Sequence, residues 1–160
     1  MTLRVEVQRA NPDIIAPDDD FIRTWVVRAL EAAAADPAAE VSVRVVDADE
    51  MRILNRDYRD KDKPTNVLSF PAGHVSGLPE AEPVPVGDIV VCADIVRDEA
   101  DAQQKGLPDH WAHMLVHGTL HLLGFDHEAD DEAAAMEAFE KRILAAHGLA
   151  DPYGAAGENC

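Results

Sequence analysis

A chain of 160 residues is one domain's worth, long enough to bury about two thirds of the surface its unfolded form exposes, so it needs neither disulfides nor a structural metal to fold. Its 14 basic and 31 acidic side chains leave a net charge of −17, which excludes broad, nonspecific attraction to a polyanion and confines any nucleic-acid site to a local patch. Cys92 and Cys160 are far apart and make no disulfide framework, no apolar run reaches membrane-spanning length, and the opening residues lack the apolar stretch of a secretion signal. The expectation is a cytoplasmic protein with no membrane partner.

Leu3, Val5 and Val7 alternate with Arg4, Glu6 and Gln8, the period of a strand with one face buried. Asp18 to Asp20 then offer an N-cap and a negative first turn to a helix whose Phe21, Ile22, Trp25, Val26, Ala29, Leu30 and Ala33 share one face. That helix ends near Asp36 and Pro37. Val41, Val43 and Val45 give a second strand, and Asp47 with Glu50 opens a helix carrying Met51, Leu54 and Tyr58 to about Arg59. Asn66 to Phe70 form a third strand stopped by Pro71, residues 72–86 a long loop rich in proline, and Gly87 to Cys92 a fourth strand.

Asp94 is expected to cap the next helix, which closes at Gly106. Pro108 begins another, whose Trp111, Met114, Leu115, Leu122 and Leu123 call for burial on several sides before Gly124 ends it. Asp130 caps a last helix with Met136, Phe139, Ile143 and Leu144 inward and Gly148 as its stop, and residues 151–160 read as a disordered tail. The sum is a single α+β domain over residues 1–150: a small mixed sheet of about four strands, with helices packed round a central metal-bearing helix.

The metal reading comes from His117, His121 and His127, three of the seven histidines. Two imidazoles four residues apart lie one above the other on a helical face, and Gly124 lets the backbone turn so that the third swings round to the same point. Three neutral nitrogens suit one Zn²⁺ ion per chain, with the fourth position left for water as in a catalytic site. His113 shares the stripe, but it lies about 12 Å along the axis from His121, too far for both rings to reach one ion. It is expected either beside the ligands, supporting them or meeting substrate, or as a satisfied histidine of the core. The spacing His-x3-His-x2-Gly-x2-His is that of the metzincin peptidases, which need a glutamate directly after the first histidine as general base. Gly118 stands there, so peptidase chemistry lacks its base.

The histidine block, together with the run from Leu54 to Pro71 and with Gly87-Asp88-Ile89-Val90, resembles the YbeY family of bacterial rRNA-maturation endoribonucleases. The resemblance implies a zinc-dependent, single-strand-specific endoribonuclease that processes the 3′ end of small-subunit rRNA and serves ribosome quality control. Its implied partners are single-stranded RNA, small-subunit rRNA and the ribosome, with a ribosomal protein or an assembly GTPase beside them. Arg59 is the family-matched cation, with a planar fork suited to phosphate oxygens. Arg59 and His117 are then the candidate catalytic residues, and Arg59, Lys61, Lys63 and His113 the candidate substrate contacts. Arg56 would widen the basic patch, and Thr65, Asn66 and Ser69 would reach sugar or phosphate. Cys92 reads as a buried, inert thiol rather than a further ligand. The missing base leaves two other readings open: a ribosome-assembly factor whose metal holds the fold with little or no catalysis, and another zinc hydrolase acting on peptides or esters.

Overall fold

The computed structural model describes residues 3–72, 84–125, 130–149 and 151–152. In chain order these form β1 (Arg4–Arg9), α1 (Asp19–Ala32), β2 (Ala39–Val46), α2 (Ala48–Arg59), β3 (Val67–Pro71), β4 (Val84–Cys92), α3 (Ala93–Gln103), α4 (Leu107–Leu122) and α5 (Asp130–Ala146). The strands make one sheet in the order β1-β2-β4-β3, with β2 parallel to both β1 and β4 and with β3 antiparallel to β4. This is the expected α+β architecture with a mixed sheet.

Successive side chains of a strand point to opposite faces, and β4 is apolar on both. Its Ile89 and Val91 join Val41, Val43 and Val45 of β2 and Trp111, Leu115 and Leu120 of α4 in the larger core. Its Val90 and Cys92 join Met51 of α2 and Leu68 of β3 in a smaller one. The sheet is therefore a middle layer. On the larger side α4 is buried nearly all round, from His110 to Val116 and from Gly118 to Leu120, which is what its hydrophobic pattern demands of a central helix.

Asp18 and Asp47 cap their helices as expected, accepting the backbone N–H of Phe21 at 2.8 Å and of Glu50 at 2.9 Å. Asp94 does otherwise. α3 already starts at Ala93 after Cys92, and Asp94 Oδ2 accepts the N–H of Ala48, the first residue of α2, at 3.0 Å. β2 and β4 end side by side, with Val46 opposite Cys92, so the helices that follow them begin as neighbours and one carboxylate serves an orphan donor of the other helix. Asp94→Ala is expected to cost about 1 kcal/mol in urea unfolding, and Asp94→Asn less. α3 also stops earlier than expected, at Gln104 in the left-handed region (φ 55°), and Gly106 becomes the N-cap of α4.

The long connection after β3 is shorter than the expected 72–86, because Val84 to Val86 belong to β4 and Ala72 donates its N–H to Val86 O at 2.9 Å. Residues 73–83 lie outside the described residues. Pro85 pairs with Glu40 but Gly87 with Val41, so the register shifts by one residue at Val86. Gly87 itself is at φ +149°, and a Cβ there would collide with the carbonyl oxygen of Phe70 and sit 2.8 Å from Leu122 Cδ2, so the end of α4 closes on bare backbone. At the other end of the chain Asp151 pairs with Lys141 at 3.6 Å and Pro152 is buried, while the rest of the expected tail, residues 153–160, lies outside the described residues.

Candidate functional site

β3 is an edge strand, and along it runs a cleft of about 800 Å³. Its walls come from the end of α2 and the turn after it (Asn55, Arg59, Lys61, Lys63), from β3 (Val67, Ser69, Pro71) and from α4 (His117, His121). Two stretches that are far apart in sequence thus meet in one groove.

The cations are presented by a specific turn. α2 closes on Asp60 in the left-handed region (φ 60°), whose N–H bonds Arg56 O, and the next N–H, from Lys61, bonds Asn55 O. The buried Asn55 side chain then donates Nδ2 to Lys63 O at 2.8 Å, so one amide pins the turn carrying Lys61 and Lys63 beside Arg59. The charges divide sharply. Arg52 pairs with Asp62 at 3.0 Å and Arg56 with Asp57 at 3.1 Å, whereas Arg59, Lys61 and Lys63 make no ion pair among the described residues. Arg56 therefore does not widen the patch as expected: it is neutralised by its neighbour and lies outside the cleft lining.

On α4 the rings of His117 and His121 are 4.7 Å apart between centroids, and both are half-buried on the cleft wall. The structure places His113 in the interior, 5% exposed, its ring 6.2 Å from that of His117 and not among the cleft-lining residues. His127, the third expected ligand, and its neighbour Asp126 lie outside the described residues.

The sequence model of a family described as Endoribonuclease YbeY matches residues 6–148. The chain belongs to the YbeY family. The Endoribonuclease YbeY of Alcanivorax borkumensis is 51% identical over 97% of this chain and 89% of its own length. That of Halorhodospira halophila is 54% identical over 86% and 88%. The solution structure of TM1509 from Thermotoga maritima shares the fold with a TM-score of 0.56 and 21% identity, over 94% of this chain and 99% of that one. No helix among the described residues is long and apolar enough to cross a membrane.

In this YbeY-family chain the metal-capable group includes a residue that sequence reasoning missed. Glu140 of α5 is fully buried, with Oε1 2.7 Å from His113 Nε2 and Oε2 2.8 Å from His117 Nδ1. Burial alone would raise its pKa, but the hydrogen bonds and charge of the two imidazoles outweigh that and bring the carboxyl from 4.5 to about 2. His113 moves down as well, because burial disfavours its cation more than Glu140 favours it. His113, His117 and Glu140 each offer a ligand atom within 4.8 Å of the others, a group able to hold a metal ion. A signal was present: Glu140 follows Met136 by four residues and precedes Ile143 and Leu144 by three and four, which puts an acid on the inward stripe of α5.

Two further polar side chains of the YbeY cleft, Ser69 and Asn66, are already engaged, while Thr65 lines the cleft beside them. Ser69 Oγ donates to Gly118 O at 2.9 Å, tying β3 to α4. Asn66 Oδ1 accepts the N–H of Val67, and its Nδ2 donates to Glu99, which His110 Nε2 meets at 2.9 Å. Burial would raise the Glu99 carboxyl, yet the bonds from His110 and Asn66 leave it below its ordinary value. Cys92 is buried, and burial pushes its thiol up, as an inert side chain requires. Gly118, the position where a metzincin would keep its glutamate, faces the sheet: a Cβ there would lie 3.0 Å from Ile89 Cγ2 and 3.2 Å from Val67 Cγ2.

Proposed function

We propose that this chain is a zinc-dependent endoribonuclease that cleaves single-stranded RNA, matures the 3′ end of small-subunit rRNA and acts in ribosome quality control in the cytoplasm. One observation carries the reading: His117 and His121 share a cleft with Arg59, Lys61 and Lys63, and no acid among the described residues pairs with those three cations. On a chain of net charge −17, a local groove of uncompensated cations beside imidazole ligands selects for a polyanion at that place only.

His117, His121 and His127 would hold the zinc ion. The residues present fit it, since two rings stand 4.7 Å apart on one helix face and His117 Nδ1 lies 2.8 Å from Glu140 Oε2, the carboxylate contact that a metal-ligating imidazole makes through its other nitrogen. Bound zinc would acidify a water molecule and polarise a phosphoryl oxygen, both of which phosphodiester hydrolysis needs. Arg59 would clamp the scissile phosphate through two parallel N–H bonds, with Lys61 and Lys63 holding neighbouring phosphates as point charges. Gly118 facing β3 and β4 counts against a peptidase, because a glycine there supplies no carboxylate to act as the general base.

The test is cleavage of a labelled single-stranded fragment of the rRNA 3′ region by zinc-loaded wild type, His117→Ala and Arg59→Glu. Arg59→Glu is expected to lose about 10²- to 10³-fold in rate, the effect of removing one electrostatic clamp, and His117→Ala to fall to background. Equal, contaminant-level cleavage by all three proteins would overturn the proposal.

A further inference from the structure

We infer that Glu140 is the positioning residue of the metal centre: it fixes which nitrogen of His117 is left for the ion, and His113 in turn fixes Glu140. The inference rests on the proposed function only in taking His117 as a ligand. A neutral imidazole carries one proton on one of two nitrogens, and the hydrogen bond made by one nitrogen decides the state of the other. An ionised carboxylate can only accept. His117 Nδ1, 2.8 Å from Glu140 Oε2, is therefore the donor, and the lone pair resides on Nε2.

Helix geometry explains why one carboxylate serves two rings. His113 and His117 stand four residues apart on α4, so their rings rise one above the other toward α5. α5 presents Glu140 from its apolar stripe between Met136 and Ile143, and the two carboxylate oxygens span the rings at 2.7 and 2.8 Å. A buried carboxylate is costly unless its oxygens are satisfied by strong donors, and these are two charge-assisted N–H bonds at zero solvent exposure. His113 thereby acts on His117 without touching the cleft: it occupies the Glu140 oxygen that would otherwise need water or a second orientation.

The rival arrangement puts the ion between His113, His117 and Glu140 themselves. It would have the ion compete with both imidazoles for the Glu140 carboxylate, whose two oxygens already lie 2.7 and 2.8 Å from His113 Nε2 and His117 Nδ1. It would also enclose the ion where a carboxylate with no exposure leaves no room for substrate. The two arrangements predict different dependence on His121, which belongs to the cleft set alone.

Zinc titrated into the metal-free full chain, in competition with a chromogenic chelator, separates them. Glu140→Ala is expected to bind one zinc about 10- to 100-fold more weakly than wild type, with Glu140→Gln and His113→Ala in between and His121→Ala worst. In ¹⁵N spectra of the metal-free wild type, His117 is expected as the Nδ1–H tautomer, a measurement that needs no variant to fold. Wild-type affinity in Glu140→Ala, or an Nε2–H tautomer of His117 in the wild type, would overturn the inference. So would loss of zinc in Glu140→Ala and His113→Ala with full binding kept in His121→Ala, which would make Glu140 a ligand. A wild type that binds zinc in the Glu140-dependent way yet leaves RNA uncut would sink the nuclease reading and leave this one standing.

Discussion

Replacing Gly118 with glutamate is expected to unfold the protein, not to supply the general base of a peptidase. A Cβ at this position points between Ile89 Cγ2 and Val67 Cγ2, at 3.0 and 3.2 Å, and Ser69 Oγ, 3.5 Å away, is already committed to the carbonyl of Gly118. The new side chain would start wedged between α4 and the sheet, and its carboxylate would lose hydration there. That costs several kcal/mol, against a total stability of about 5–15 kcal/mol, and the gain in helix propensity is at most about 1 kcal/mol. A loss of about 4 kcal/mol or more follows, read as aggregation or as loss of near-UV dichroism at neutral pH. Gly118→Ala isolates the steric part: a methyl asks the branched side chains of Ile89 and Val67 to give by a few tenths of an ångström while helix propensity improves, so its urea midpoint should stay within about 1 kcal/mol of wild type. A soluble Gly118→Glu protein with the wild-type midpoint would mean that α4 is not seated on β3 and β4.

The same position shows how far sequence reasoning reaches. Spacing reveals that a base is missing after His117; only the packing of α4 reveals that the vacancy is a contact surface. Local signals were legible: Asp18 and Asp47 cap their helices because a short acid before an apolar period has one nearby use, and the alternation in β1 and β2 sets their buried face. Asp94 was misread for a tertiary reason, since its actual partner, Ala48 N–H, is adjacent only once β2 and β4 pair. Val84 to Val86 read as loop because prolines mask a strand whose length is set by its neighbour β2. Within the basic run, residue type could not separate Arg56 from Arg59; a salt bridge to Asp57 and the turn pinned by Asn55 do. Glu140 escaped because an acid in a helix is read as solvent-facing, although its place among Met136, Ile143 and Leu144 said otherwise.

Acid is expected to destabilise the zinc-free protein through Glu140 by on the order of 3 kcal/mol between about pH 5 and pH 2. The folded carboxyl titrates at about 2 and the unfolded one near its ordinary 4.5, so between those values the unfolded chain binds the extra proton. The stabilisation is thus complete above the unfolded pKa and is lost as pH falls through it toward the folded one. His113 adds to the loss from higher pH, because burial lowers its folded pKa and the unfolded chain again takes up the proton first. Urea unfolding of wild type and Glu140→Gln at several pH values in chelator measures the difference. Glutamine cannot titrate, so the variant should start less stable at pH 7, having lost an ionised acceptor for the imidazoles of His113 and His117, yet should fall less steeply below pH 5. The other carboxylates contribute to both proteins alike and cancel in the comparison. Parallel curves would show that the carboxylate between His113 and His117 is not held ionised. In that case its two hydrogen bonds could not be charge-assisted, and the tautomer of His117 would have to be set by another group.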